Sequence, residues 1–570
     1  MIANRLSVAG YGRLVLGIAG LGGLLYGVDL GIIAAALLYL SKTIDLTVAQ
    51  TSELVAAVLG GSMVSSPIAG LLADWLGRKK MMIFSGLMFV ASVGLIVVSQ
   101  SFAVLMTGRL LQGMSGGVIA VVVPLYLAES LPPDTRGKGT AMFQLLLTFG
   151  IVVASAAGWF YTGQAEAAVA AAAGNQVLIR AAQDHAWRSM FLAMAYPGLA
   201  FFGGTFLLVE SPRWLFLKGR VADALSSLRR LCSPQEAALQ LHEMETLAVG
   251  RNKTLFKTGG SLLQRRYIIP FILASAILVL TQTTGVNSLN GFLVIILKQA
   301  GMSPTHATQG DFIVKLLHCL MTIAGAALVD RKGRTFLLKV GTGGIICALL
   351  ASAFLFYSFE SKRIDVRDEV RRAQRGNSLT LPLSTSMFDQ KTGDRPMALT
   401  VLYSYGNGDK VATALSSDEL GALRIAPQAK EAGSALTIKR AFYGPVATEM
   451  TGWLITLCLG LFFSFYSFGP GVVVWLALSE LMPSRIRSKG MGVALLLNQG
   501  ASTLIAALFL PMVGSFGYYA MFLFWAACTT LYFITATYFL PETKGKTLEE
   551  IEESFDRGGS RGTAGSLLHK

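Results

Sequence analysis

The stretch ESLPPDTRGKG, Glu129–Gly139, has a twin in ELMPSRIRSKG, Glu480–Gly490. Glu129, Pro132, Arg136, Lys138 and Gly139 return at identical spacing as Glu480, Pro483, Arg487, Lys489 and Gly490. Upstream of each twin stands a second pair: Asp74, Gly77 and Arg78 return as Asp330, Gly333 and Arg334. A weaker echo follows, in which Trp187, Met190, Phe191 and then Glu210 match Tyr518, Met521, Phe522 and then Glu542. Three echoes in one order read as a duplication, so the chain is expected to fold as two similar halves.

Working outward from the echoes, the chain is apolar. Of 570 residues, 53% are hydrophobic and 14% charged, and the mean hydropathy is +0.57. Soluble domains carry about 25% charged residues. About twenty apolar residues cross the roughly 30 Å hydrocarbon layer as a helix. Twelve such spans are predicted, near 13–40, 51–73, 80–99, 102–128, 138–160, 188–208, 268–297, 308–329, 336–358, 449–478, 489–513 and 517–539. A closed β-barrel would show short alternating segments instead. The predicted fold is an all-α integral membrane protein with six spans in each half.

The formal net charge is +15. Its basic residues cluster in short runs between spans: Arg78, Lys79 and Lys80; Arg136 and Lys138; Arg331, Lys332 and Arg334; Arg485, Arg487 and Lys489. That distribution marks cytoplasmic loops and places both termini inside. It argues against nucleic acid as a partner, and the partner it implies is the lipid bilayer. Five cysteines show no disulfide or metal spacing. The first apolar run leads straight into further spans, so it reads as a retained helix rather than a cleaved signal.

The echoes also locate an insertion. Asp74 and Glu129 lie 55 residues apart, whereas Asp330 and Glu480 lie 150 apart. About 95 extra residues therefore fall between spans nine and ten, near 360–447, outside by the helix count. Two strands are predicted there, 378–383 and 398–405. Both a loop without a transport role and a lid or partner-binding cap fit that composition. The expected units are 1–209, a helical cytoplasmic linker over 210–266 with short helices at 221–232 and 234–249, 267–540, and a tail over 541–570.

Two residues stand out inside the spans. Asp29 and Arg109 are ionisable, and a charge at the bilayer centre costs roughly 2.5–3.5 kcal/mol. Counting at about 1.5 Å per residue puts both roughly 10–17 Å below the outer surface, at a depth where they can pair. A carboxylate beside a guanidinium keeps its charge, and separation lets it take a proton. A static ion pair is the competing reading. At the cytoplasmic helix ends, Asp74–Arg78 and Asp330–Arg334 lie in range of Glu129–Arg136 and Glu480–Arg487 if the halves fold alike. Such bridges are individually weak and must act as a network to lock the inner side. Gln144, Gln282, Asn287, Asn290 and Asn498 are amides within spans that can both donate and accept, as sugar hydroxyls require, and Trp475 offers an aromatic face. Each amide is also readable as helix-packing glue, the more ordinary role of such a residue. His318, three residues after Lys315, is either a pH-sensitive group or a hydrogen-bonded structural one.

These motifs together resemble the sugar porter family of the major facilitator superfamily, over almost the whole chain outside the insertion. Gly27-Val28-Asp29-Leu30-Gly31 is similar to the family's first-helix motif, and Gly108-Arg109 with Gly113 and Gly117 to its fourth-helix pattern. Pro124-Leu125-Tyr126-Leu127-Ala128-Glu129 resembles the end of span four. Glu210-Ser211-Pro212-Arg213-Trp214-Leu215 and Pro541–Ile551 resemble the signatures after spans six and twelve. The resemblance implies that Asp29 is the protonated carboxylate and Arg109 its partner. It implies that Gln144, Gln282, Asn287, His318, Trp475 and Asn498 contact sugar, and that Gly469-Pro470-Gly471 is the flexible part of span ten. It adds Glu210, Arg213 and Glu542 to the inner network. Departures fall on the C-terminal side of the implied pocket: Thr281 for a glutamine, Gly291-Phe292 for a tyrosine pair, His318 for an asparagine and Gln499 for a tryptophan.

The expected function is import of a monosaccharide, a hexose or pentose, with a proton, by rocking of the halves around a site between them. A passive sugar or polyol facilitator is the alternative, and a sugar sensor the less favoured one. No nucleophile, metal or phosphate-cradling motif points to an enzyme, and no cofactor is implied. The chain is expected to work as a monomer in the cell membrane, a bacterial inner membrane being favoured.

Overall fold

A computed structural model describes residues 7–131, 133–254, 265–382, 397–416, 422–427, 431, 433–481 and 487–542. The first half runs through α1 (Val8–Thr43), α2 (Val48–Leu76), α3 (Arg78–Val98), α4 (Phe102–Ser130), α5 (Pro133–Ala171), α6 (Gln176–Ala193) and α7 (Ala195–Thr205). Three short helices follow: α8 (Pro212–Leu217), α9 (Val221–Leu231) and α10 (Pro234–Thr254). The second half begins with α11 (Arg265–Thr283), α12 (Val286–Gln299), α13 (Pro304–Lys332) and α14 (Arg334–Glu360). The insertion intervenes. Then α16 (Glu449–Phe468), α17 (Pro470–Leu481), α18 (Arg487–Phe516) and α19 (Tyr518–Tyr538) complete it.

Among the described residues, 11 helices are long and apolar enough to cross a membrane, with α11–α12 and α16–α17 each forming one span. The twelfth, span six, is α6 and α7, divided at Met194. Pro197 explains the break. It has no N–H for the Ala193 carbonyl, and its ring crowds that oxygen.

Small residues set the closest helix contact. Gly23, Gly27 and Gly31, four apart on one face of α1, lie against the α5 backbone at Phe143, Leu147 and Ile151. A Cβ at any of them would collide, so this spacing lets the backbones approach. The repeated glycines have a different cause. Gly77 and Gly333 adopt φ of +100° and +90° where α2 turns into α3 and α13 into α14, a conformation costly for other residues. The echo in sequence is thus an echo of the same tight turn.

The regular structure of the insertion is mostly β-strand, with one short helix. Between α14 and α16 lie β1 (Ile364–Asp365), α15 (Arg367–Arg372), β2 (Leu379–Pro382), β3 (Met397–Ser404), β4 (Asp409–Leu415), β5 (Ala422–Ile425) and β6 (Thr437–Pro445). They form an antiparallel sheet in the order β1-β6-β3-β4 and a β2-β5 pair. Val370, Leu379, Leu399, Val401, Ile438 and Ala441 supply its own apolar core. The segments at 378–383 and 398–405 are strands as expected. The other four strands are an addition to the all-helical reading, because they carry polar residues on both faces.

The insertion and the α1–α2 turn lie at one end of the bundle, here the insertion side. The α2–α3 turn and α8–α10 lie at the other. The halves meet along α2 and α18, α5 and α13, and α1 and α12.

Candidate functional site

Asp29 on α1 and Arg109 on α4 meet in the core of the first half. Arg109 Nη1 lies 3.2 Å from Asp29 Oδ1, and the two residues are 0% and 1% exposed. The same nitrogen donates to Gln112 Oε1 at 2.7 Å, and Nε donates to the Leu54 carbonyl at 3.4 Å. Phe191 on α6 faces the guanidinium, 5.6 Å from its ring centre. Asp29 Oδ2 has no hydrogen-bond partner. A buried ion pair with an unsatisfied carboxylate oxygen is costly to hold. The guanidinium is anchored by two groups besides Asp29, so the carboxylate is the side chain free to change state. Gln112, one helical turn from Arg109, was not singled out from sequence; its i,i+3 spacing is the available signal.

An amide cluster sits in the second half. Asn287 donates to Gln282 Oε1 at 2.9 Å and to Ser502 Oγ at 2.7 Å. Gln282 Nε2 donates to Asn498 Oδ1 at 3.3 Å, and Asn498 donates to the Leu278 carbonyl at 2.8 Å. Three of the predicted sugar contacts are thus brought together on α11, α12 and α18. Thr281 instead bonds the Tyr532 hydroxyl at 3.0 Å, away from that cluster. His318 stacks on Phe463, 5.3 Å between ring centres, on a different wall. Gln144 is half-buried on α5, and Trp475 on α17 is 48% exposed. Among the described residues, no hydrogen bond or ring contact joins either to the amides.

The two features share a cavity. A space of about 20 Å³, enough for one water, is lined by Arg109 with Val55, Val58 and Leu59 on one side and by Asn287, Asn290 and Gly291 on the other. On the insertion side the halves are closed on each other. Ser52 Oγ accepts from Leu510 N at 3.0 Å, Gln499 reaches Ser62 at 3.4 Å, and Ala56 and Leu59 pack on Ala506.

The repeated loop residues form ties within a half. Arg78 meets Asp74 at 2.8 Å and Glu129 through Nη2–Oε1 at 2.9 Å and Nε–Oε2 at 2.8 Å. Glu210 accepts from the N–H groups of Arg78, Lys79 and Ser211 at 2.8, 3.0 and 2.9 Å. It therefore caps α3, a carboxylate on the positive end of a helix. Glu542 does the same for α14, accepting from Arg334 N and Thr335 N at 3.1 Å each. The described bonds bind α2, α3, α4 and the segment after α7 into one body, and do not join one half to the other. Arg213 is exposed on α8. The side chains of Arg136, Asp330, Glu480 and Arg487 lie outside the described residues.

The insertion spans the gap between halves. Lys410 on β4 contacts Asp45 in the α1–α2 turn at 2.7 and 2.8 Å and Glu431 at 2.7 Å. Burial opposes the Lys410 charge, but the hydrogen bonds and charges of Asp45 and Glu431 outweigh it and hold the ammonium above its usual range. Arg440 on β6 donates to the Ser515 carbonyl at the end of α18. One tie reaches the first half and the other the second.

Comparison with known proteins agrees with this architecture. The family model described as "Sugar (and other) transporter" matches residues 15–366 and 432–555, skipping most of the insertion. The glucose transporter GlcP of Staphylococcus epidermidis is 27% identical, covering 95% of this chain and 97% of its own. The major myo-inositol transporter IolT of Bacillus subtilis is 25% identical, covering 97% of each. An inward-open structure of the xylose transporter XylE from E. coli superposes with a TM-score of 0.66 at 18% identity, covering 95% of this chain and 99% of that one. A structure of the proton:xylose symporter XylE bound to 6-bromo-6-deoxy-D-glucose gives 0.62 at 20% identity, covering 96% and 100%. This multi-pass membrane protein belongs to the sugar (and other) transporter family, and its fold is that of the xylose transporter structures.

Proposed function

We propose that the protein imports a monosaccharide, a hexose or pentose, together with a proton. The observation that carries this reading is the cavity lined by both Arg109 and Asn287. It puts the buried Asp29–Arg109 pair against the edge of the amide cluster, so a change at one is felt at the other. In this reading the insertion side faces outward, both termini and α8–α10 face the cytoplasm, and the conformation described is closed to the outside. Protonation of Asp29 from outside cancels its charge and frees Arg109 to its other partners, Gln112 and the Leu54 carbonyl. Gln282, Asn287 and Asn498 turn from one another to sugar hydroxyls, and Gln144 approaches from the opposite half as the halves close. Release of sugar and proton inside restores the pair. The intra-half networks keep each half rigid, so motion is concentrated between halves.

The test is uptake into proteoliposomes of labelled hexoses, pentoses and polyols, with and without an inward proton gradient, for the wild type and Asp29→Asn. Gradient-driven accumulation in the wild type and mere equilibration in the variant are expected. Equilibration in both, indifferent to the gradient, makes the protein a facilitator and the pair a structural element.

A further inference from the structure

A second buried ion pair lies in the other half, and the transport reading above does not use it. Asp311 and Lys315, one turn apart on α13, are each 1% exposed. Lys315 Nζ is 3.9 Å from Asp311 Oδ1, too far for a hydrogen bond. The ammonium instead donates to Asn290 Oδ1 on α12 and lies 4.6 Å from the centre of the Phe463 ring. Asp311 Oδ1 is left with no hydrogen-bond partner. An ionised carboxylate is poorly served by such a site.

The neutral acid is well served. Ser155 on α5 lies beside Asp311, across the interface between the halves. The Ser155 hydroxyl already donates to the Ile151 carbonyl at 2.8 Å. Its proton is committed, and its lone pairs remain to accept from a protonated carboxyl. The neighbours from the other elements are consistent with this. Asn290 comes from α12, and Phe463 and Tyr466 come from α16, with His318 two turns along α13 from Asp311. The charge acting on Asp311 is that of Lys315.

The duplication supplies an independent argument. Asp74 and Asp330 are repeat equivalents, so Asp311 and Lys315 occupy in α13 the places that Val55 and Leu59 occupy in α2. Val55 and Leu59 line the central cavity. The pair on α13 therefore sits at the position that faces the translocation path in the sister helix, and Asn290 connects it to the same cavity.

We propose that Asp311 is a second proton-binding carboxylate, whose protonation decides whether Lys315 holds Asn290 or returns to Asp311. The carboxylate takes one proton to become the neutral acid, which donates to Ser155. Lys315 keeps its charge and clamps α12, the half-helix that carries Asn287 and Asn290. On loss of the proton the ammonium swings back to the carboxylate and α12 is released. This goes further than the symport reading and rests on it.

Two measurements on the full-length reconstituted protein test it. The first is infrared difference spectroscopy between acid and alkaline pH, which reads the carbonyl band of protonated carboxylic acids. Asp311→Asn should remove one such band that Asp29→Asn retains. A spectrum of Asp311→Asn that superposes on the wild type overturns the proposal. The second is the proton-to-sugar ratio, from the proton gradient that just balances a gradient of labelled D-glucose, D-xylose or myo-inositol. It should fall by half in Asp311→Asn/Lys315→Met, a variant that leaves no buried charge behind and folds even if the single substitution does not. An unchanged ratio overturns the coupling role. Failure of the symport reading looks different: no ratio exists in the wild type, while the Asp311 band is unaffected.

Discussion

Asp45→Asn tests whether the β-rich insertion straps the two halves together. Asp45 lies in the α1–α2 turn and grips Lys410 of β4 at 2.7 and 2.8 Å. The amide keeps the shape and removes the charge, while the Lys410–Glu431 contact at 2.7 Å inside the insertion stays intact. A hydrogen bond to a charged group contributes about 1.5–3 kcal/mol when buried. The Asp45 side chain is 42% exposed, so the interaction is discounted to about 0.5–1 kcal/mol. At 1.4 kcal/mol per factor of ten, that is roughly a 2–5-fold shift toward the state open on the insertion side. The assay is the distance distribution between spin labels on cysteines placed at the exposed Gln176 and Lys362, in a background without the native cysteines. The longer-distance population should grow by that factor, and 1 M salt should reproduce part of the shift in the wild type, because screening then acts over about 3 Å. The Lys410 ammonium is held above its usual range. Its contribution is complete below its ordinary value and fades only as pH rises through the raised one, so the strap should not weaken through Lys410 near neutrality. Identical distributions in wild type and variant would refute a strap and leave the insertion a passive ornament.

Two further substitutions probe parts of the site that do different work. Gln282→Ala removes the acceptor of Asn287 and the donor to Asn498; losing about 1–1.5 kcal/mol of sugar binding should raise KM roughly tenfold with kcat little changed, whereas an unaltered KM would make the amides helix-packing glue. Glu210→Gln weakens a charged cap on three N–H groups and should cost about 1–2 kcal/mol of stability, read as a lower Tm, with transport per folded molecule preserved; a normal Tm with altered transport would mean the residue works between conformations rather than within one.

What was legible in the sequence was whatever the duplication wrote twice. Asp74-Arg78 and Asp330-Arg334 are readable because the same glycine-mediated turn and the same carboxylate cap occur in both halves. Asp29 and Arg109 are readable for the opposite reason, as lone charges in apolar spans. The broken sixth span was not legible, since Pro197 divides it without interrupting the run of apolar residues. The strands β4 to β6 were not, because a small sheet half exposed to water has no clean alternation. Asp311 and Lys315 were harder still. Asp311 was not singled out from the sequence, and only the packing shows that the Lys315 ammonium leaves its helical neighbour for Asn290.

The same duplication provides the control for that second pair. The α2–α18 interface and the α5–α13 interface are repeat equivalents. At the first, Leu59 packs with Ala56 on Ala506; at the equivalent places of α13 stand Asp311, beside Ser155 of α5, and Lys315. One fold therefore carries apolar side chains or a charged pair at the same two helix positions, so packing alone does not call for the charges. Replacing a buried ion pair by apolar residues of similar volume is commonly neutral or stabilising by about 1–4 kcal/mol. Asp311→Val/Lys315→Leu writes the sister interface into α13. It should fold with an equal or higher Tm and keep the Asp29–Arg109 response to a proton gradient, yet accumulate less sugar per unit gradient. If the Tm instead falls by several degrees and accumulation per folded molecule is unchanged, the pair is an element of this joint's structure and carries no part of the coupling.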